Sequence, residues 1–110
     1  MTHFSSLDSA RSFLFVPGNR PERFLKAIDS GADVVIVDLE DSVPLQGKDA
    51  ARSGVCQALP MLPTSACLVV RINSPETSIG LQDVQALAAC PQLAGLMVPK
   101  CESAQTLQTV

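Results

Sequence analysis

Three carboxylates stand within four positions of one another, at Asp38, Glu40 and Asp41. They directly follow Val34–Val37, a run of four β-branched residues. Such a run, without polar alternation, predicts a strand buried on both faces, as in a parallel sheet. In proteins with parallel sheets, ligands gather at the carboxyl ends of the strands. Because like charges this close repel, the acids need a cation, a proton or several hydrogen-bond donors beside them.

Arg71 is the first candidate partner for these acids. It lies within a second apolar run, Leu68–Ile72, where an unpaired guanidinium would be very costly. The sequence leaves two anionic partners open for it. One is the Asp38 group, and the other is the carboxylate of a ligand, which the planar guanidinium can bind through two hydrogen bonds. In the second case Arg71 is a substrate-binding residue.

Three further cations belong to the same region. Lys100 follows the apolar run Gly95–Val98, so we expect it at the same edge as Asp38, either in a structural Lys–Asp pair or as a catalytic lysine. Asp38 and Lys100 are therefore the candidate catalytic residues. Lys48 and Arg52 stand four positions apart on a predicted helix, and we expect both to neutralise the acidic cluster.

The elements that must position these side chains follow from hydrophobic periodicity. The pattern predicts strands at Arg11–Val16, Val34–Val37, Ala66–Ile72 and Gly95–Val98, and we expect the first of them, like the second, to be buried. Each strand is followed by a predicted helix. The first helix is capped by Asn19 and ended by Gly31, and the second spans Gly47–Leu59 with an apolar stripe of Ala51, Val55 and Leu59. The third has an apolar stripe of Leu81, Val84 and Leu87, and the fourth is capped by Ser103 and carries Ala104 and Leu107. Asn73 is typical of a helix cap or a solvated loop.

Four strand–helix units in alternation predict an α/β fold with a parallel sheet. Four such strands leave two long apolar edges, which single domains avoid. The pattern therefore favours the first half of a TIM (β/α)8 barrel over a complete flavodoxin-like domain, which needs a fifth strand. We expect residues 1–10 to be a flexible amino terminus and residues 11–110 to be the amino-terminal (βα)4 part of the barrel.

Composition excludes several function classes. A net charge of −3 argues against nucleic-acid binding, which needs a clustered basic face. No apolar run approaches the roughly 20 residues that span a bilayer, and residues 1–10 lack the features of a signal peptide. The four cysteines form no C-x-x-C pair, so zinc is not expected. They are typical of reduced apolar residues in a cytoplasmic protein.

Several segments together resemble the citrate lyase beta-subunit-like members of the HpcH/HpaI aldolase/citrate lyase family. The resemblance is carried, in chain order, by Arg11–Phe24, Ser30–Val43 with Lys48, Ala51 and Arg52, Val70–Asn73, and Gly95–Ser103. It covers nearly all of residues 11–107, and the combination of segments is specific.

The resemblance implies a TIM barrel, in a homotrimer when full length, that acts as a carbon–carbon lyase on short acyl-CoA esters such as citryl-CoA or malyl-CoA. The products are an acetyl-CoA-type thioester and a 2-oxo acid. An acyl carrier protein is a possible alternative thioester partner. Mg²⁺ is the implied cofactor, and it polarises the oxo group. Arg71 is implied to bind the oxo acid's carboxylate. The acidic turn from Asp38 to Asp41, with its cluster of Glu40 and Asp41, is implied to line the metal pocket through water or indirect contacts.

The first loop after a strand is implied to lie near the CoA. Pro17 and Gly18 offer backbone amides at a helix start, where phosphates commonly bind. Arg20 and Arg23 add positive charge there, although both are equally typical of solvated residues at a helix start. A GxGxxG or Walker phosphate loop is absent from the sequence, so nucleotide-dependent chemistry has no support.

The family's direct metal ligands, a Glu and an Asp, come from later strands and are expected beyond Val110. We therefore expect the isolated 110-residue chain to be inactive as a lyase. Two alternatives remain open: a non-catalytic half-barrel that acts as an interaction or assembly piece, and a phosphoacceptor signalling domain. The phosphoacceptor fits poorly, because the third strand ends in Arg71 where an acceptor Asp would be needed.

Overall fold

The computed structural model describes residues 12–99 and the backbone of residues 107–109. The elements are, in chain order, β1 (Phe13–Pro17), α1 (Phe24–Asp29), β2 (Val34–Asp38), α2 (Lys48–Ala58), β3 (Leu68–Arg71), α3 (Ser78–Leu87), β4 (Leu93–Met97) and β5 (Leu107–Thr109). Short 3-10 turns flank the first two helices, at Pro21–Arg23, Leu45–Gly47 and Leu59–Met61. The predicted alternation of strands and helices is confirmed as far as β4.

The first four strands lie side by side in chain order, and each pair is parallel. Their register places Pro17, Asp38, Arg71 and Met97 in one row across the sheet. Because the strands are parallel, this row forms the carboxyl edge of the sheet, and paired neighbours in it project from the same face. Asp38 and Arg71 are therefore adjacent, as the sequence predicts.

The three helices pack on one face of the sheet. They and the turn after α2 bury an apolar core that contains Phe24, Ala27, Ala51, Val55, Leu59 and Leu87. The stripe predicted for α2 is thus confirmed. Gly31 follows the end of α1 with a φ of +94°, a conformation in which glycine avoids the penalty that a side chain would incur.

The opposite face of the sheet carries a separate apolar cluster, formed by Val34, Ile36, Cys67, Val69 and Ala94. Side chains alternate between faces along a strand, so Asp38 shares this face with Val34 and Ile36. Arg71, its register partner, lies there as well. The two charged residues therefore stand at the carboxyl edge of the face that points away from the helices.

The predicted burial of β1 is wrong for most of the strand. Val16 is buried, but Phe13, Leu14 and Phe15 are exposed, Phe13 by 51%. The reason is position: β1 lies at the edge of the sheet and pairs only with β2 among the described residues. An apolar run predicts that a strand is buried, but it does not indicate which other strand or helix packs against it.

Two helix predictions are corrected by the structure. In α3, Leu81 is 52% exposed, while Gly80, Asp83 and Leu87 face inward. The last predicted helix is also wrong where the structure describes it, because Leu107–Thr109 is a strand antiparallel to β4. This strand pairs with the edge of β4, whose unpaired backbone groups favour such pairing.

Four sequence predictions lie outside the described residues. They are the flexible terminus at 1–10, Lys100, the cap at Ser103 and the thiol of Cys101. Within the part that is described, no helix combines the length and apolar character needed to cross a lipid bilayer.

We expect Gly80→Ala to destabilise the fold and Gly54→Ala to stabilise it slightly. A Cβ at position 80 would collide with the Ser74 carbonyl oxygen and lie 2.6 Å from that of Asn73. Because both are backbone atoms, the loop must shift, at a cost of about 1–3 kcal/mol. A Cβ at position 54 meets no atom within 4 Å, and Ala is better than Gly inside a helix by about 0.5–1 kcal/mol. Urea unfolding measures both changes, and equal effects would contradict the packing described for α3.

Candidate functional site

The centre of the candidate site is a two-point ion pair between Arg71 and Asp38. Arg71 Nε donates to Asp38 Oδ1 at 3.0 Å, and Nη2 donates to Oδ2 at 2.9 Å. The Arg71 side chain is 19% exposed and that of Asp38 is 5% exposed. Of the two partners that the sequence leaves open for Arg71, the structure contains the first. The third guanidinium nitrogen, Nη1, takes no part in these two contacts, and the Arg71 side chain as a whole is partly exposed.

Backbone donors also hold the Asp38 carboxylate. The amide of Glu40 donates to Oδ1 at 2.8 Å and the amide of Ser42 donates to Oδ2 at 3.0 Å. Burial alone would raise the pKa of Asp38, but hydrogen bonds from Arg71, Glu40 and Ser42 and the charge of Arg71 together lower it to about 2. Asp38 is therefore ionised at neutral pH, and it fixes both the guanidinium and the turn that follows β2.

Glu40 and Asp41 complete an acidic rim around the guanidinium. The Glu40 carboxylate lies 3.6 Å from Arg71 Nε, and the Asp41 carboxylate lies 3.6 Å from Nη2. Partial burial and the neighbouring charge of Asp41 raise the pKa of Glu40, although Arg71 opposes them. The Phe15 ring lies on another side of the guanidinium, with its centroid 4.8 Å from Cζ, within the range of a cation–π contact.

The backbone of the acidic turn is held from the helix side by two donors. Lys48 Nζ donates to the carbonyl oxygens of Leu39, at 3.1 Å, and Glu40, at 2.8 Å. Asn73 Nδ2 also donates to the Leu39 carbonyl, at 3.0 Å. Lys48 is thus beside the acidic cluster, as predicted, but its hydrogen bonds go to carbonyl groups instead of carboxylates.

Asp83 is the functional neighbour that the sequence interpretation missed. It is completely buried, and its Oδ2 accepts from the backbone amide of Asn73 at 3.0 Å and from Asn73 Nδ2 at 2.7 Å. Its Oδ1 accepts from Arg52 Nε at 2.7 Å. The prediction that Arg52 neutralises the acidic cluster is therefore wrong, because Arg52 pairs with Asp83 and, at 3.1 Å, with Asp49.

A signal for Asp83 does exist in the sequence. Asp83 stands three residues after Gly80 and four before Leu87, which places all three on one helical stripe. The prediction that Asn73 is a cap or a solvated loop residue is also wrong. Asn73 is 7% exposed and connects Asp83 to the acidic turn, while Thr77 caps α3 by accepting from the Gly80 amide at 3.1 Å.

Pro17 and Gly18 do not offer the amides predicted for phosphate binding. Pro17 has no N–H, and the Gly18 amide already donates to the Asp38 carbonyl at 2.7 Å. A Cβ at Gly18 would lie 2.7 Å from that same oxygen, so glycine permits this close approach. The predicted cap at Asn19 is also wrong, because Arg20 is the residue at the start of the turn, without a side-chain cap.

The side chains of Arg20 and Arg23 place positive charge beside this loop. Arg20 Nη1 lies 3.9 Å from an exposed Glu22 carboxylate. Arg23 lines an open groove of about 500 Å³ beside β1, together with Lys26, Phe15 and Pro17. A second cavity of about 360 Å³ lies among Ala32, Asp33 and Ser65 at the amino-terminal edge of the sheet, away from Arg71.

The described residues include no group of three or more His, Cys, Asp or Glu side chains arranged to hold a metal ion. Both oxygens of Asp38 already accept from Arg71 and backbone amides. Glu40 and Asp41 are hard oxygen donors at the rim and are partly exposed or exposed. The carboxylates of Glu40 and Asp41 are therefore better suited to bind water molecules around a divalent cation than to coordinate the cation fully themselves.

We expect Arg71→Gln to raise the pKa of Asp38, because burial then acts with fewer opposing hydrogen bonds. In the native chain the depressed pKa contributes stability that is present above the ordinary value of 3.8 and is lost as the pH falls through about 2. Its size is about 2 kcal/mol. Carboxyl carbon NMR shifts followed with pH measure the pKa directly. Arg20→Gln is the control and should leave the pKa of Asp38 unchanged; the same titration curve in Arg71→Gln would contradict the pairing.

We expect Asp83→Asn to destabilise the fold by about 3–5 kcal/mol, because it leaves the Arg52 guanidinium without its buried counter-charge. Asp49→Asn is the matched control, since Asp49 contacts the same guanidinium but its side chain is 82% exposed. Its effect should stay below about 1 kcal/mol. Urea unfolding at neutral pH compares the two variants. Similar losses would show that burial does not govern the energy of these pairs.

Comparison with known proteins gives consistent matches. The family model described as HpcH/HpaI aldolase/citrate lyase matches residues 11–110. A citrate lyase subunit beta-like protein of Mycobacterium tuberculosis is 46% identical over 92 residues, which is 84% of this chain and 32% of the relative. An L-malyl-CoA/beta-methylmalyl-CoA lyase of Cereibacter sphaeroides is 39% identical over 103 residues, covering 91% of this chain and 32% of that protein.

A solved structure supports the same assignment. The citrate lyase beta subunit of M. tuberculosis, complexed with oxaloacetate and magnesium, superimposes with a TM-score of 0.74 at 42% identity, over 89% of this chain and 42% of that one. The chain spans about a third of the length of the curated relatives it matches. Its parallel strand–helix units are those of a TIM-type barrel, as predicted. The chain belongs to the HpcH/HpaI aldolase/citrate lyase family.

Proposed function

We propose that this chain supplies the acid-binding part of a carbon–carbon lyase that cleaves short acyl-CoA esters, such as citryl-CoA or malyl-CoA. The products are an acetyl-CoA-type thioester and a 2-oxo acid. The observation that carries the proposal is the guanidinium of Arg71, which lies at the carboxyl edge of the sheet and is held in a fixed orientation by Asp38. This is the edge at which barrel enzymes of this class carry out their chemistry.

Arg71 has the properties that carboxylate recognition requires. Its Nη1 takes no part in the contacts with Asp38, Glu40 and Asp41, and the side chain is partly exposed. A guanidinium that is already oriented loses less conformational freedom when it binds a planar carboxylate. In cleavage of a 3-hydroxyacyl thioester, one fragment becomes an enolate on the CoA side and the other an oxo acid. Arg71 binds and orients the carboxylate of that acid.

Asp38 acts through Arg71 in this proposal. Its pKa of about 2 makes it a poor proton donor or acceptor near neutral pH, because a general acid or base works best with a pKa near the working pH. Asp38 is therefore a positioning residue, which keeps two guanidinium nitrogens occupied and aims the third. We propose this positioning role for Asp38 in place of the catalytic role that the sequence suggests, and the catalytic role suggested for Lys100 stays a prediction.

Mg²⁺ is the cofactor that we propose for the complete site. When bound, it supplies Lewis-acid polarisation of the oxo oxygen. In this chain, Glu40 and Asp41 would accept hydrogen bonds from water around the ion, which agrees with their exposure and their position at the rim. The direct ligands would come from residues other than those described here.

The loop from Pro17 to Arg23 is proposed to lie near the CoA. The support is charge, since Arg20, Arg23 and Lys26 follow β1 within one short stretch. The Gly18 amide contributes to the fold instead, through its bond to the Asp38 carbonyl. Family membership also supports a homotrimer, and an acyl carrier protein as the alternative thioester partner. The free thiols of Cys56, Cys67 and Cys90 support a cytoplasmic location.

A second candidate function is a non-catalytic half-barrel that serves as an assembly piece. The exposed apolar side chains of β1, Phe13, Leu14 and Phe15, favour it, because contiguous apolar surface marks interaction sites. The two functions differ in their dependence on Arg71. An assembly piece should associate through β1 and show no affinity for oxo acids.

We expect the chain to bind oxaloacetate through Arg71 and, by itself, to cleave neither citryl-CoA nor malyl-CoA. Arg71→Gln should weaken oxaloacetate binding about ten- to a hundredfold, because a hydrogen bond to a charged group contributes about 1.5–3 kcal/mol. Arg71→Lys keeps the charge but loses the planar pair of donors, so its affinity for oxaloacetate should lie between those of the native chain and Arg71→Gln. NMR titration with and without Mg²⁺ measures the affinities, and thioester release measures cleavage.

Arg20→Gln is the control for this experiment, because it removes an exposed guanidinium at a distance from the pair. It should retain native affinity for oxaloacetate. Equal affinities for the native chain and Arg71→Gln would contradict the proposed role of Arg71. Measurable cleavage by the native chain would contradict the expected inactivity but would support the reaction.

A further inference from the structure

Two thiols converge on one backbone carbonyl at the interface between α2 and α3. Cys56 lies on α2, and Cys90 lies three residues after the end of α3. Cys56 Sγ is 4.0 Å from the Ala86 carbonyl oxygen, and Cys90 Sγ is 3.9 Å from the same atom. The two thiols also contact each other directly, although 34 positions separate the residues in the sequence.

The two cysteines differ in their surroundings. Cys56 is partly exposed, whereas Cys90 is only 9% exposed. Burial raises the pKa of the Cys90 thiol, and the neighbouring Cys56 thiol raises it further through a direct contact. Cys56 therefore carries the thiol that dissolved reagents reach first, and Cys90 carries the more buried thiol next to it.

The other cysteines do not share this arrangement. Cys67 belongs to the apolar cluster on the opposite face of the sheet, where burial raises its thiol pKa. Cys101 lies outside the described residues. Among the residues that the structure describes, the convergence on one carbonyl is thus limited to Cys56 and Cys90.

We propose that Cys56 and Cys90 form a redox-active dithiol, which a small-molecule disulfide of the glutathione type oxidises to a disulfide between α2 and the segment after α3. Intracellular disulfides of this kind are usually transient and respond to the redox state. The assignment does not depend on the lyase function.

The reaction proceeds by two thiol–disulfide exchanges. The Cys56 thiolate attacks one sulfur of the oxidised glutathione, which breaks its S–S bond, forms a mixed disulfide on Cys56 and releases one glutathione thiolate. The Cys90 thiolate then attacks the Cys56 sulfur, forms the protein disulfide and releases the second glutathione thiolate. The two thiol protons end on the released glutathione molecules. The protein loses two electrons, and the glutathione disulfide gains them.

The first exchange prepares the second. The Cys90 sulfur already contacts the Cys56 sulfur, so the Cys90 thiolate stands next to the atom that it attacks once Cys56 carries glutathione. This order predicts that the mixed disulfide is short-lived in the native chain and persists when Cys90 is absent.

The disulfide would join α2 to the segment after α3, and these two helices hold the buried ion pair between Arg52 and Asp83. Cys56 lies four residues after Arg52 on α2, and Ala86 lies three residues after Asp83 on α3, so the thiols sit about one helical turn from that pair. Oxidation would therefore link α2 covalently to the segment that directly follows α3, close to the contact between Arg52 and Asp83. We expect it to raise the melting temperature, because a cross-link restricts the unfolded chain.

The test treats the 110-residue chain with excess oxidised glutathione. We expect the loss of two thiols per chain, no retained glutathione, and a linked peptide pair that contains Cys56 and Cys90 after trypsin digestion and mass spectrometry. The melting temperature should rise by several degrees and return to the starting value with dithiothreitol. A Cys67→Ala/Cys101→Ser double variant should behave in the same way, which also simplifies the peptide map.

Two single variants serve as controls. Cys90→Ser should stop at glutathione on Cys56, and Cys56→Ser should leave Cys90 unreacted over the same period. The proposal is overturned if the native chain keeps both thiols, if glutathione stays on Cys56, or if Cys90 pairs with another cysteine. Unchanged or lowered thermal stability after oxidation would overturn the predicted stabilisation by the cross-link.

Discussion

The candidate site depends on one constraint, which is that the guanidinium of Arg71 and the carboxylate of Asp38 are both largely withdrawn from water and must satisfy each other. Neither side chain could be kept there alone, because an unpaired charge in such a position is expensive. The parallel register of β2 and β3 places the two residues opposite each other, so the sheet itself brings the partners together. The acidic turn, the rim of Glu40 and Asp41 and the contact with Phe15 are then arranged around this pair.

A second set of polar contacts supports the pair from behind. Arg52 binds Asp83, Asp83 binds the amide and the side chain of Asn73, and Asn73 binds the Leu39 carbonyl. Since Leu39 follows Asp38 directly, the position of the turn is fixed by residues on both α2 and α3. The buried carboxylate of Asp83 and the side-chain amide of Asn73 therefore both have defined partners, while Arg52 Nη2 is a buried nitrogen without a hydrogen-bond partner among the described residues.

Much of the site could be predicted from the sequence, but not the choice of partners. The β-branched run before Asp38 and the isolated position of Arg71 indicate a shared edge, and the structure confirms it. The partner of Arg52 could not be predicted, because Asp83 is 31 residues away and only the packing of α2 on α3 brings them together. For the same reason Leu81 points outward: the helix turns the face that carries Asp83 toward Arg52. The three residues of β5 are too few for periodicity to distinguish a strand from a helix.

Formal charge at the rim has a further consequence for any ligand. Arg71 faces three carboxylates, and the nearby ammonium of Lys48 is directed to carbonyl groups on the other side of the turn. Two cations therefore stand against three acids before an oxo acid arrives with its own negative charge. The three carboxylates therefore weaken the binding of an anion to Arg71 unless further positive charge enters with it. A divalent ion would reverse that balance, so metal and acid would each increase the affinity of the site for the other.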